Sequence, residues 1–269
     1  MGTKKANNPI GVFDSGLGGL TVVREIKRLL PNEDIIYLGD SARLPYGIKS
    51  RRQIVKFSLL NARFLIKKKI KALVIACNSS SANAYHALKK RLDIPIIDVI
   101  SPVSGEAGKR SINKRVGIIG TRATIGSGAY EKEIKKANKE IKVFSQQCPL
   151  FVSLVEEGWL DNDIVRSVVR RYLEPLKRKK IDTLILGCTH YPLLKKIISY
   201  EVGRSISVID SGPSAAHFLK KELLKRKLIN PKKKKGFLKI FVTDLSPHFI
   251  KVGERFLKQP LRFVRVIKT

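Results

Sequence analysis

Two short stretches, "ALVIAC" at 72–77 and "LILGC" at 184–188, restrict the fold of this chain more than any other feature. Each is an unbroken run of small and branched apolar residues of strand length. A strand that is apolar at every position must be covered on both faces, as in a parallel sheet packed between helices. Each run also ends in a cysteine followed by polar side chains: Asn78 and Ser79 after Cys77, Thr189 and His190 after Cys188. Two such endings in one chain point to a paired site.

The stretches belong to a longer repeat. "PIGVFDSGLGGLTVVREIKRL" is mirrored by "RVGIIGTRATIGSGAYEKEIKKAN", setting Gly117 against Gly11 and Gly120 against Asp14. "IKALVIACNSS" is mirrored by "IDTLILGCTHY", setting Cys188 against Cys77, and "IPIIDVISP" by "ISVIDSGP", setting Asp210 against Asp98. The offsets are 106, 111 and 112 residues in the same order, as an internal duplication requires. Strands are expected at 10–14, 34–40, 72–77 and 94–100, alternating with helices over 20–30, 51–68 and 80–91. The fold class that follows is α/β, with two pseudo-symmetric lobes, each a mainly parallel sheet flanked by helices, and the active site in the cleft between them. After Asp210 come a helix-like "SAAHFLKKELLKRKL" and a strand-like "LKIFVTD", for which 103–115 shows no counterpart. This segment is expected to return to the first lobe, giving lobes of 1–101 plus 211–269 and of 102–210.

At 269 residues the chain can bury a core in both lobes. No apolar run approaches membrane-spanning length, and the N-terminal stretch has lysines but no apolar secretion segment, so a cytoplasmic protein without membrane contact is expected. The three cysteines are too scattered for a disulfide framework, and no C-x-x-C or His-rich spacing suggests a metal. Cys148, in "QQCPLF", reads as a small buried hydrophobe. The charge is strongly basic, 54 Lys and Arg against 22 Asp and Glu, a formal +32. It is spread over "KSRRQIVKF", "IKKKIK", "EPLKRKKID" and "NPKKKKGF", which reads as solvated helix faces and turns. Contact with nucleic acid rests on this charge alone, because no helix-turn-helix, zinc-finger or aromatic RNA-binding signature accompanies it.

In open α/β sheets ligands gather beyond the carboxyl ends of the strands. Those ends read Asp14-Ser15, Asp40-Ser41, Cys77-Asn78-Ser79, Gly120-Thr121 and Cys188-Thr189-His190. "DSGLGG" offers backbone N–H groups and a helix start to an anion. It lacks the Lys-Ser/Thr of a P-loop and the G-x-G-x-x-G spacing, so no nucleotide cofactor is implied. The plainer readings are a tight turn for this loop, a helix cap for Asp14 and a core histidine for His190. A single nucleophilic cysteine with a histidine base would suit a hydrolase and would engage Cys188 and His190, leaving Cys77 unexplained. Two thiols on opposite walls suit another task, in which one takes a proton from a carbon and the other returns one to its opposite face.

With "IGVFDSGLGGLTVVREI", "YLGDSARLPYG", "ACNSSSA", "GIIGTRATIGSGAYE" and "LGCTHYPLL" in this order, the chain resembles the bacterial glutamate racemases of the aspartate/glutamate racemase family. The resemblance implies racemisation of glutamate without a cofactor or metal, supplying D-glutamate for peptidoglycan, with Cys77 and Cys188 as the acid/base pair. It implies that Asp14 and His190 set the protonation of the neighbouring thiols and that Glu156, in "LVEEG", assists His190. Asp14, Ser15, Tyr46, Gly47, Asn78, Ser79, Thr121, Thr189 and His190 are implied to touch substrate. The family commonly has Thr where this chain has Ser79, which keeps the hydroxyl and loses a methyl. A homodimer is the expected assembly. The rival readings are a racemase of aspartate or another acidic amino acid, and a basic protein with a nucleic-acid-binding role.

Overall fold

The computed structural model describes residues 5–245 and 247–268, with the side chains of 247 and 248 left aside. Along the chain run β1 (Ile10–Asp14), β2 (Ile35–Gly39), β3 (Ala72–Ile75) and β4 (Ile96–Asp98), then β5 (Arg115–Gly120), β6 (Lys142–Gln147), β7 (Thr183–Gly187) and β8 (Ser207–Asp210), and last β9 (Leu238–Val242) and β10 (Val264–Val266). The helices are α1 (Leu20–Leu29), α2 (Arg51–Lys67), α3 (Asn78–Lys89), α4 (Ile100–Arg110), α5 (Arg122–Gly126), α6 (Ala129–Ala137), α7 (Leu150–Glu156), α8 (Asp163–Arg178), α9 (Lys195–Val202), α10 (Ser211–Lys225) and α11 (Pro247–Leu257).

Among the described residues two sheets form, ordered β10-β9-β2-β1-β3-β4 and β6-β5-β7-β8. Every strand pairing is parallel. The inner order of the first sheet, β2-β1-β3-β4, is that of the second, so the sequence repeat is a repeat of topology. In both sheets the two apolar runs lie at equivalent places, β3 beside β1 and β7 beside β5. All residues of β1, β2, β3 and β7 are buried, as strands covered on both faces must be. Each fully buried Leu or Ile side chain contributes about 1.5–3 kcal/mol.

Helix α4 corrects the expectation that 103–115 has no counterpart to the helix after Asp210. The strand expected over 94–100 covers only Ile96–Asp98, and the helix starts at Ile100. Asp98 Oδ1 accepts the N–H groups of Ile100 and Ser101, each at 2.7 Å, and so turns the chain out of the sheet. Pro102 and Gly105 weaken the helical pattern in sequence, yet proline is tolerated in a first turn, where its missing N–H has no intrahelical partner to lose. The mirrored helix α10 follows β8. The pair are exchanged between sheets: α4 packs on α6, β7 and β8 of the second, α10 on α1 of the first, and the two pack on each other. Strands β9 and β10 extend the first sheet beyond β2. No helix among the described residues is long and apolar enough to cross a membrane.

Candidate active site

The order of both sheets reverses at their centre, between β1 and β3 and between β5 and β7, which is where the carboxyl ends of parallel strands leave a crevice for ligand. A cavity of about 210 Å³ lies there. Ser15 after β1, Tyr46 and Gly47 after β2, Cys77, Asn78 and Ser79 after β3, Thr121 after β5, and Cys188, Thr189 and His190 after β7 all line it. Both cysteines therefore face one small space, one from each lobe. Asp14 and Glu156 do not line it and stand behind it.

Around Cys77 the groups come from the first lobe. Its sulfur caps α3, accepting the N–H of Ser80 at 3.5 Å. Burial, and next the charge of Asp14, push the thiol up to about 12. Asp14 is itself wholly buried, and its Oδ2 accepts the N–H groups of Gly16 at 3.1 Å and Gly19 at 3.0 Å, while Oδ1 has no partner among the described residues. Burial raises the pKa of this carboxyl, opposed by the nearby His190.

Around Cys188 the groups differ. Its sulfur is 3.8 Å from His190 Nδ1, and His190 Nε2 is 2.5 Å from Glu156 Oε1 at the end of α7. Burial works against a charged imidazole, but Cys188 and Glu156 outweigh it and raise His190 to about 10. The imidazolium that results at neutral pH donates Nδ1–H to the sulfur and Nε2–H to the carboxylate.

The remaining polar groups form a hydroxyl cluster and two supports. Ser79 Oγ lies 3.0 Å from Thr121 Oγ1 and 3.1 Å from Thr124 Oγ1, joining the lobes. Asn78 Nδ2 donates to Tyr130 at 2.8 Å and Ser211 at 3.2 Å, and its buried Oδ1 has no partner among the described residues. The Tyr46 hydroxyl bonds to Asp40 and accepts from Asn61 Nδ2 at 3.1 Å. The loop "DSGLGG" packs against the other lobe: a Cβ at Gly18 would collide with Thr189 Oγ1 and His190 Nδ1. At Gly47 a Cβ would strike the Thr121 side chain.

Sequence reasoning missed Arg122, Pro149, Val152 and Ser153, which line the same cavity. The repeat itself held the signal. The segment after β6 stands where the segment after β2 stands, and the latter was already marked by "PYG". It also missed Thr124, Tyr130 and Ser211, whose side chains hold the cavity-lining Ser79, Thr121 and Asn78 from behind. Cys148 is buried away from the cavity lining, as expected of a small hydrophobe. No group of His, Cys, Asp and Glu able to hold a metal occurs among the described residues.

Residues 10–219 match the family model described as Asp/Glu/Hydantoin racemase. The chain is similar to a glutamate racemase of Geobacter metallireducens, 47% identical over 248 residues covering 92% of each chain. A second, from Persephonella marina, is 49% identical over 245 residues, 91% of this chain and 92% of the relative. Among solved structures, glutamate racemase from Francisella tularensis in complex with D-glutamate is 43% identical with a TM-score of 0.93, covering 98% of both chains.

Proposed function

Because the chain belongs to the Asp/Glu/hydantoin racemase family, and is an amino-acid racemase, we propose that it interconverts L- and D-glutamate through Cys77 and Cys188 as a two-base pair. The observation that carries this reading is the pair of sulfurs lining one cavity from opposite lobes with unlike support. Glutamate is favoured over aspartate because the relatives that match along nearly the whole chain are glutamate racemases, one bound to D-glutamate.

The α-proton of an amino acid is too weakly acidic for a free thiolate, so the site must stabilise the charge that develops when it leaves. Backbone N–H groups at the start of α3, with the hydroxyls of Ser79, Thr121 and Thr189, are the donors that would hold carboxylates in place, and the positive end of the α3 dipole adds to them. In one direction Cys188 acts as the base, with the His190 imidazolium beside it. Cys77, neutral because burial keeps its thiol at about 12, is the acid. Cys188 takes the α-proton from one face and Cys77 gives its own to the other. The enzyme is left with a thiol at 188 and a thiolate at 77, the form from which the opposite enantiomer is turned over. That second thiolate is supported by the N–H of Ser80 and the end of α3.

We take the lobes as 1–101 plus 211–269 and 102–210, with the cleft between them. A cytoplasmic role in supplying D-glutamate for peptidoglycan fits the relatives' activity. Exchange of the α-proton with solvent deuterium, followed for both enantiomers of glutamate and aspartate, tests the substrate. Exchange with aspartate and none with glutamate rejects it.

A further inference from the structure

The C-terminal segment β9, α11 and β10 is the part of the molecule that the internal repeat does not duplicate. It is built onto the first sheet, yet α11 touches the machinery of the second. Phe256 is fully buried, and its ring stands at 79° to that of His190 with centroids 5.1 Å apart. Its neighbour Arg255 lies so close to Gly158 that a side chain there would collide with the guanidinium, and Gly158 is in the turn that follows Glu156. The helix is tied to its own lobe: Arg24 of α1 donates to the Phe256 carbonyl at 3.3 Å, and α11 packs along α1.

We propose that Phe256 is a positioning residue, which holds the His190 ring in the plane that reaches Cys188 and Glu156 together. The proposal rests on the two-thiol reading and deepens it. Both ring nitrogens of His190 are committed, Nδ1 toward Cys188 and Nε2 toward Glu156, so a rotation of the ring about its bond to Cβ breaks both interactions at once. A perpendicular aromatic neighbour resists that rotation. Cys77 is supported by a helix end and packs with Tyr46 and Ile54 instead. The C-terminal segment thus places a ring directly against the histidine beside one thiol, and meets the side of the other only through Thr243, which bonds Asp40 behind Tyr46.

The charged and titratable groups facing His190 are Cys188 beside it, Glu156 from α7 and Asp14 from the end of β1. On α11, Glu254 accepts the Leu261 N–H and Arg255 stands at Gly158. Phe256→Leu removes the flat ring and adds no charge. Expected are a fall in kcat of about three- to tenfold, the size of an aromatic pair's contribution, with KM within about twofold. His190 should also lose its proton at lower pH, drawing down the high-pH limb of kcat and the imidazole nitrogen signals in an NMR titration of the full chain. Phe256→Tyr, which keeps the ring, should retain the limb.

A folded Phe256→Leu enzyme with an unmoved limb and unmoved His190 signals overturns the proposal, whether or not kcat falls. Should melting show that Phe256→Leu has lost the fold, Phe256→Met, closer in length, is read by the same two measurements. Cys188→Ser run alongside separates the readings. Undiminished racemisation in that variant removes the two-thiol mechanism, whereas its loss beside an indifferent Phe256 variant removes only the role of Phe256.

Discussion

The two lobes share a strand order and a cysteine at the same strand end, but they surround that cysteine differently. In the first lobe, Cys77 caps the twelve-residue helix α3 and has a buried carboxylate, Asp14, nearby. In the second, Cys188 is followed by a short 3₁₀ turn, Tyr191–Leu194, and is met by His190 and Glu156. Duplication supplied two equivalent sulfur positions. Divergence of the neighbours then gave the two sulfurs unlike surroundings, which a strictly symmetric site would not do. The C-terminal segment sharpens the contrast by adding Phe256 to one side only.

The largest expected effect tests whether the lobes are equivalent in chemistry. Cys77→Ser and Cys188→Ser should each lower racemisation by about 10²–10⁴-fold, the range for a general acid or base, measured by circular dichroism of the product. One unimpaired variant would break the comparison, since it would leave one lobe without a chemical role. Next come the unlike supports. Asp14→Asn should lower the Cys77 thiol, because it removes a charge that holds it up, and His190→Gln should slow proton removal at Cys188 by deleting its cationic neighbour. Each should cost about 10–100-fold in kcat, about 1.4–2.7 kcal/mol of barrier. Thiolate absorbance against pH reads the change at Cys77 directly, and an unmoved titration there would contradict the assignment.

Glu156→Gln weakens one charge-assisted hydrogen bond to His190 and should lower kcat by about tenfold. It should also bring the high-pH limb down. His190 is raised to about 10 in the folded protein, so its proton is present below that pH and is lost as pH rises through it. A limb that stays in place after Glu156→Gln would detach this residue from the relay. Gly18→Ala puts a methyl between the first lobe's loop and Thr189 with His190, overpacking that should cost about 1–3 kcal/mol in a thermal melt and raise KM. The smallest effect belongs to Ser79→Thr. Its hydroxyl would still meet Thr121 and Thr124, so kcat/KM is expected within about twofold of the parent.

Much of this was legible in the chain itself. Runs such as "ALVIAC" and "TLILGC" specify buried parallel strands because every position is apolar, and their spacing within a repeat places the cysteines at equivalent ends of two sheets. Asp14, Ser15, Asn78, Ser79, Thr121, Thr189 and His190 were readable for the same reason, since each directly follows or ends a strand. Helix α4 was not, because Pro102 and Gly105 break the periodicity that marks a helix, while the cap from Asp98 that starts it is a local hydrogen bond with no periodic trace.

What the sequence alone determined is the pair of sheets, the order of their strands in the repeat and the residue types at the strand ends, because backbone pairing and apolar burial depend on patterns only a few residues long. Only the tertiary structure decided which groups meet around each sulfur. Glu156 reaches His190 from 34 positions away, Thr124 reaches Ser79 from 45, and Phe256 comes from a helix with no mirrored partner. Proton affinity at each thiol is set by burial and by charges within a few ångströms, and those distances are fixed by how the lobes and the exchanged helices pack, not by any spacing along the chain.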